Sequence, residues 1–130
     1  MRRVVHQVGW FVVVGCAASL THWLVVVAIV AGFATPPLVA NVAGWLVAFT
    51  VSFSGHYHLT FRYHKASLWP AATRFFVVSA LGFGINEASY AWLLHATTLS
   101  YDVLLFLVLL GVAVLTFVLS RLWAFRPAAS

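Results

Sequence analysis

Two adjacent polar side chains interrupt an otherwise apolar stretch of this sequence. Asn86 and Glu87 lie between residues 75 and 94, and His22 lies at an equivalent depth in the first apolar stretch. An ionisable residue is costly in hydrocarbon, so at such a depth it is by default a functional candidate. We expect His22, Asn86 and Glu87 to line a polar path for a hydrogen-bonding ligand. The alternative is that Glu87 is protonated, or pairs with His22, and only fixes the helix packing.

The basic residues are a second group that could bind a ligand. All seven lie outside the apolar stretches: Arg2, Arg3, Arg62, Lys65, Arg74, Arg121 and Arg126. Arginine stays charged and binds phosphate through two parallel hydrogen bonds. We expect five of them to hold a lipid phosphate at headgroup level, namely Arg62, Lys65, Arg74, Arg121 and Arg126. For any single one, ordinary anchoring at a positively charged membrane face is the alternative.

Enzyme chemistry and metal binding find no support in the remaining residues. The sequence has no glycine-rich phosphate loop, no paired carboxylates and no nucleophile beside a base. The histidines at 56, 58 and 64 have no cysteine or acidic residue near them, whereas a zinc site needs three or four converging ligands. The single Cys16 excludes an intramolecular disulfide. We therefore predict no catalysis, no metal and no cofactor.

The elements that must position these residues follow from composition. Hydrophobic residues make up 64% of the 130 residues and charged residues 7%, against about a quarter charged in soluble domains. Four apolar stretches cover residues 8–31, 37–54, 75–94 and 103–119. Each approaches the ~20 helical residues that cross the hydrocarbon core, and a helix satisfies its own backbone groups there. The sequence predicts an all-α integral membrane protein with four transmembrane helices in a single domain, residues 1–130.

The distribution of charge predicts the orientation of these helices. Basic residues occur before the first helix, between the second and third, and after the fourth; the connections 32–36 and 95–102 contain neither lysine nor arginine. By the positive-inside rule, both termini and the central loop are cytoplasmic. The net charge of +5 then reflects topology and contact with anionic lipids, and we expect no nucleic-acid binding. The first stretch is longer than the apolar region of a signal peptide, so we expect it to be retained.

An internal repeat relates the two halves of the chain. A shift of 64 residues places Phe11 on Phe75, and the dipeptide 61–62 on the identical dipeptide 125–126. The two copies cover about residues 8–62 and 72–126. Each copy holds two helices, so both have the same orientation in the membrane, as in the parallel repeats of transporters. The alternative is a duplication with only an architectural outcome.

Small residues recur at every fourth position of the second predicted helix: Ala40, Gly44, Ala48 and Ser52. At 3.6 residues per turn they form one stripe along the helix. Such a stripe lets a neighbouring helix approach closely. We interpret it as a packing feature.

Four short motifs carry a resemblance to a known family. They are FVVVG at 11–15, RFFVVS at 74–79, SRLWAFR at 120–126, and its echo HYHLTFR at 56–62. With four helices and the repeat, the sequence resembles the GtrA-like family over about residues 6–126. Related modules are fused to dolichol-phosphate-sugar synthases.

This resemblance implies a function in lipid-linked sugar transport. It implies flipping of a polyprenyl-phosphate-linked sugar across the bacterial inner membrane, for the synthesis or modification of surface polysaccharide. The basic residues would receive the phosphate, and His22, Asn86 and Glu87 would hydrogen-bond the sugar. Four helices are too few to enclose a hydrated sugar, so we expect a parallel homodimer or a higher oligomer. One alternative is a non-transporting adapter that recruits a glycosyltransferase. A small multidrug exporter is a weaker one, because the one-sided charge argues against it.

Overall fold

The protein is a bundle of helices joined by short connections. The computed structural model describes residues 1–60, 62 and 67–119, with side chains described as far as residue 115 in the last helix. Its elements are α1 (Arg2–Phe33), α2 (Pro37–Gly55), a π-helical segment (His56–Thr60), α3 (Leu68–Ala96) and α4 (Tyr101–Leu119). The four predicted helices are therefore present, and no strand occurs in these ranges.

Three of the helical stretches are long and apolar enough to cross a membrane. They are Arg2–Phe33, Pro37–Thr60 and Leu68–Ala96, while the described apolar part of α4, Tyr101–Leu115, is shorter. A helix is suited to this role because every backbone hydrogen bond is made inside its own segment.

Two predicted helix boundaries and the predicted central loop need correction. Helix α1 begins at Arg2 and α3 at Leu68, six and seven residues before the predicted starts at 8 and 75. The segment from residue 55 to 74, predicted as a loop, contains the π-helical turn and the first residues of α3. Hydropathy marks only the part of a helix that hydrocarbon can surround. Backbone hydrogen bonding continues into the polar flanks, which the hydropathy pattern does not report.

Helices α1 and α2 form an antiparallel pair around a three-residue connection. Ala34 ends α1 in the left-handed region, with φ 52° and ψ 31°. Helix α2 begins at Pro37, a position where proline loses no hydrogen bond because the first N–H groups of a helix have no intrahelical acceptor. The chain therefore turns sharply, and the two helices pack along their length.

The contact between α1 and α2 is built on residues spaced four apart. The buried positions of α1 are Val14, Ala18, His22 and Val26, and those of α2 include Ala40, Gly44 and Ala48. A Cβ atom on Gly44 would lie 2.7 Å from His22 Cδ2 and 2.7 Å from Val26 Cγ2. The stripe of small residues on α2 is thus confirmed as a packing surface, and its partner is α1.

The second pair of helices closes the core at one end of the bundle. Leu104, Leu105 and Val108 of α4 are buried with Tyr90 of α3 and Val26 of α1. The Tyr90 hydroxyl donates a hydrogen bond to the Tyr101 carbonyl at 3.0 Å. The Trp23 indole donates one to the Asp102 carbonyl, also at 3.0 Å, which fixes α1 against the start of α4.

Burial in this core follows the 64-residue offset seen in the sequence. Five buried positions of the first half correspond to buried positions of the second: His22 with Asn86, Val26 with Tyr90, Ala40 with Leu104, Asn41 with Leu105, and Gly44 with Val108. The correspondence stops toward the other end of the bundle, where Val14 is 5% exposed and Val78 is 59% exposed. The two halves therefore share one packing pattern in the part where all four helices meet.

Aromatic rings join the helices at the other end. The His56 ring stacks on Phe11 with centroids 4.8 Å apart and meets the edge of Phe75 at 5.6 Å. These contacts bring together the start of α1, the π-helical segment and the start of α3. The same end carries the described arginines, Arg2, Arg3, Arg62 and Arg74. We call it the basic end.

Candidate functional site

Three buried polar side chains from three helices form a hydrogen-bonded chain. His22 Nε2 of α1 lies 2.6 Å from Asn41 Oδ1 of α2. Asn41 Nδ2 donates to Asn86 Oδ1 of α3 at 2.7 Å. His22, Asn41 and Asn86 are 6%, 0% and 3% exposed, so these contacts are shielded from the surroundings. We call the three residues the polar chain.

Local packing on α1 and α2 explains why the polar chain can form. Gly44 lies one turn after Asn41 and leaves room for the His22 ring, because a Cβ there would meet both His22 Cδ2 and the His22 carbonyl oxygen, the latter at 3.0 Å. His22 itself occupies the buried stripe of α1, one turn after Ala18. A larger residue at position 44 would push α1 outward and separate the imidazole from Asn41.

The hydrogen bonds of the polar chain fix the role of each atom. Asn41 accepts with its oxygen and donates with its nitrogen, so His22 Nε2 carries the hydrogen and the imidazole is the donor. Buried polar groups in folded proteins are nearly always paired in this way. Hydrogen bonds between membrane helices contribute on average about 0.6 kcal/mol and at most about 1.7. The polar chain therefore fixes the register of α1, α2 and α3 without dominating their stability.

Glu87 stands beside the polar chain but outside its hydrogen bonds. Both of its carboxyl oxygens are buried, and neither has a hydrogen-bond partner among the described residues. The Asn41 amide lies close to this carboxyl, and one of its two N–H groups is engaged with Asn86, but no contact between Asn41 and Glu87 meets hydrogen-bond geometry. The pairing with His22 considered from the sequence is not found, because His22 Nε2 bonds to Asn41. Buried carboxyl oxygens without a hydrogen bond are rare in folded proteins.

The side of α3 next to Glu87 is open. Gly84 precedes Glu87 by three residues, so the two positions share a face of the helix. A Cβ atom at Gly84 would meet nothing within 4 Å. Position 84 therefore presents no obstacle along this face, while the Glu87 oxygens themselves are buried.

The structure describes two of the five predicted phosphate-binding residues. Arg62 and Arg74 are exposed at the basic end. Arg62 Nη2 lies 3.4 Å from His6 Nε2, which also accepts a hydrogen bond from the Trp10 indole at 2.9 Å. The other three predicted residues, Lys65, Arg121 and Arg126, lie outside the described part of the chain.

The basic end and Glu87 are well separated along α3. Arg74 precedes Glu87 by thirteen residues, which is about 20 Å at a rise of 1.5 Å per residue. A single sugar phosphate is much shorter than this distance. One headgroup can therefore contact the arginines and Glu87 only in succession.

Sequence reasoning missed Asn41, the central residue of the polar chain. Its signal was present, because Asn41 is the only carboxamide in the apolar stretch 37–54 and its side chain faces the same cost in hydrocarbon as Asn86. The small residues at every fourth position of this helix predicted only a packing surface. Within the described ranges, no three histidine, cysteine or acidic side chains converge as a metal site would require.

Comparison with known proteins identifies one family. The family model described as GtrA/DPMS, transmembrane domain, matches residues 10–125. That range covers the polar chain, Glu87 and all basic residues except those at positions 2, 3 and 126. No curated protein and no solved structure matches the chain.

Proposed function

Because the chain belongs to the GtrA/DPMS transmembrane domain family and is a multi-pass membrane protein, we propose that it flips a polyprenyl-phosphate-linked sugar across the bacterial inner membrane. The sugar would serve the synthesis or modification of surface polysaccharide. In this proposal both termini are cytoplasmic, so the basic end faces the cytoplasm. The protein performs no covalent chemistry on the sugar.

The observation that carries this proposal is the polar chain with the unpartnered Glu87 beside it. A purely structural bundle gains nothing from a carboxyl whose two buried oxygens have no donor. A sugar offers several hydroxyl donors at once. A passing headgroup would therefore supply the hydrogen bonds that the described residues leave unmade.

The basic end supplies the first step of this proposal. Arg62 and Arg74 are exposed at the basic end, which in this proposal lies at the level of the lipid headgroups and binds the lipid phosphate there. We include Lys65, Arg121 and Arg126 in the same phosphate site. The sugar then moves along the open face of α3 past Gly84 to Glu87, while the polyprenyl tail stays in the lipid.

Assembly is part of the proposal, because four helices cannot surround a hydrated sugar. We propose a parallel dimer in which each chain contributes two tandem repeats of the same orientation. The shared burial pattern at the 64-residue offset supports the repeat. Parallel subunits place the arginines of both copies at the same membrane face, where they also contact anionic lipids.

The test is translocation by the purified protein in liposomes. A short-chain isoprenyl phosphate bearing glucose is placed in both leaflets, and impermeant periodate oxidises the sugar that reaches the outer one. We expect the slow phase of oxidation, which reports transfer from the inner leaflet, to be faster than in protein-free liposomes. A slow phase that stays unchanged both with this probe and with its amino-sugar counterpart would contradict transport and favour an adapter that recruits a glycosyltransferase at the basic end.

A further inference from the structure

The charge around Glu87 is unbalanced within the described part of the chain. The only other acidic residue is Asp102, at the start of α4, and the described arginines all lie at the basic end. The arginine nearest to Glu87 along α3 is Arg74, about 20 Å away by helical rise. Among the described residues, Glu87 therefore has no arginine near it to act as a counter-ion.

The polar side chains next to Glu87 do not replace such a counter-ion. Asn41 uses one of its two N–H groups for Asn86, and His22 donates to Asn41; the remaining N–H of Asn41 is neutral, so it supplies no charge to balance a carboxylate. The two Glu87 oxygens together can accept about four hydrogen bonds. A buried charge is tolerated when a partner of opposite charge also makes hydrogen bonds to it.

We propose that Glu87 is the binding site for the ammonium group of an amino sugar, and thus that the lipid-linked sugar moved by this protein carries a free amine. This inference rests on the proposed function and narrows its substrate class. An ammonium group brings one positive charge and three N–H donors, which match an unpartnered carboxylate in both charge and hydrogen bonding. A neutral sugar hydroxyl would supply a donor but leave the charge uncompensated.

The geometry of α3 gives this amine a route to the carboxyl. The open position at Gly84 lies on the same face as Glu87, toward the basic end. Because about 20 Å separates Arg74 from Glu87, the phosphate is bound at the basic end first and the amine reaches Glu87 afterwards. The two sites therefore suit a headgroup that carries both a phosphate and an amine.

Three probes that differ only at one substituent test the inference. They are short-chain isoprenyl phosphates bearing glucosamine, N-acetylglucosamine or glucose, of which only the first has an ammonium group. We expect the protein in liposomes to flip the glucosamine probe about tenfold faster than either neutral probe, since only the ammonium group adds a charge-assisted hydrogen bond to the Glu87 carboxylate. In Glu87→Gln the preference should disappear, while Asp102→Asn, which removes the other acidic residue, should retain it.

Binding measured without transport provides an independent readout. Native mass spectrometry of the purified protein with each probe should show tighter retention of the glucosamine probe, and equal retention of all three by Glu87→Gln. Equal flipping and equal retention of the three probes by the unmodified protein would overturn the amino-sugar inference and leave the flippase proposal standing. Failure to flip any of the three would overturn the flippase proposal, and the inference with it.

Discussion

Replacing Asn41 by leucine tests whether the polar chain holds three helices together. Leucine is the residue at the offset-related position 105, where it is fully buried, so the side chain suits this kind of site. The change removes the bond of 2.6 Å to His22 and the bond of 2.7 Å to Asn86. It also leaves the imidazole N–H and the Asn86 carbonyl oxygen buried without a partner.

The expected loss follows from these two bonds. At about 0.6 to 1.7 kcal/mol for each hydrogen bond between membrane helices, Asn41→Leu should lower the free energy of unfolding by about 1–3 kcal/mol. Thr50→Val is the matched control on the same helix, because among the described residues the exposed Thr50 hydroxyl bonds to the Val47 carbonyl of its own turn and to no other helix. That control should change the free energy by less than about 0.5 kcal/mol.

Reversible unfolding in mixed detergent micelles measures both variants, and a double-mutant cycle separates the bond from other effects. The double variant Asn41→Leu, Asn86→Leu should lose less free energy of unfolding than the sum of the losses in the two single variants. The difference, which is the coupling energy, should be about 0.6–1.7 kcal/mol. Additive losses would refute the reasoning, since they would mean that the two amides do not interact. So would an Asn41→Leu loss no larger than that of Thr50→Val.

Two further predictions concern packing and orientation. Gly44→Ala should lower the free energy of unfolding by about 1–3 kcal/mol, because the added methyl group is overpacked against His22 and Val26. Gly82→Ala is the control and should be neutral or slightly stabilising, because its Cβ would meet nothing within 4 Å. Equal losses of unfolding free energy for the two variants in the detergent titration would argue against close α1–α2 packing. In cells, cysteines that replace Thr35 and Ser100 should react with an impermeant thiol reagent added outside. A cysteine that replaces Ser67 should react only after the membrane is opened. External labelling at position 67 would reverse the orientation proposed for the basic end.

The helices were predictable from sequence because a membrane imposes a simple length and hydropathy rule. That rule gave the four elements. The spacing of small residues separately predicted the close-packing stripe on α2, and the structure shows that Gly44 meets α1 there. It misplaced the starts of α1 and α3, because a helix that extends beyond the hydrocarbon is no longer marked by hydropathy.

The candidate site was predictable only in part. His22, Asn86 and Glu87 stood out because polar groups are costly in hydrocarbon, and the structure brings the first two within one hydrogen-bonded chain. The bridge through Asn41 depends on which faces of three helices meet. The periodicity of apolar residues within a single helix does not show which face of another helix it will meet. The position of Glu87, beside Asn41 but outside the hydrogen bonds of the polar chain, is likewise a property of tertiary contacts.

The central claim is that a sugar headgroup passes along α3 beside Glu87, and protection of a thiol at Gly84 tests it most directly. In a background lacking the exposed Cys16, cysteine is placed at Gly84 or, as a control, at Gly82, both of which have free space for a side chain. The maleimide labelling rate in liposomes is then measured with and without the isoprenyl-phosphate glucosamine probe. The account predicts that the probe slows labelling at position 84 and leaves position 82 unchanged. Equal labelling at position 84 with and without the probe would contradict it.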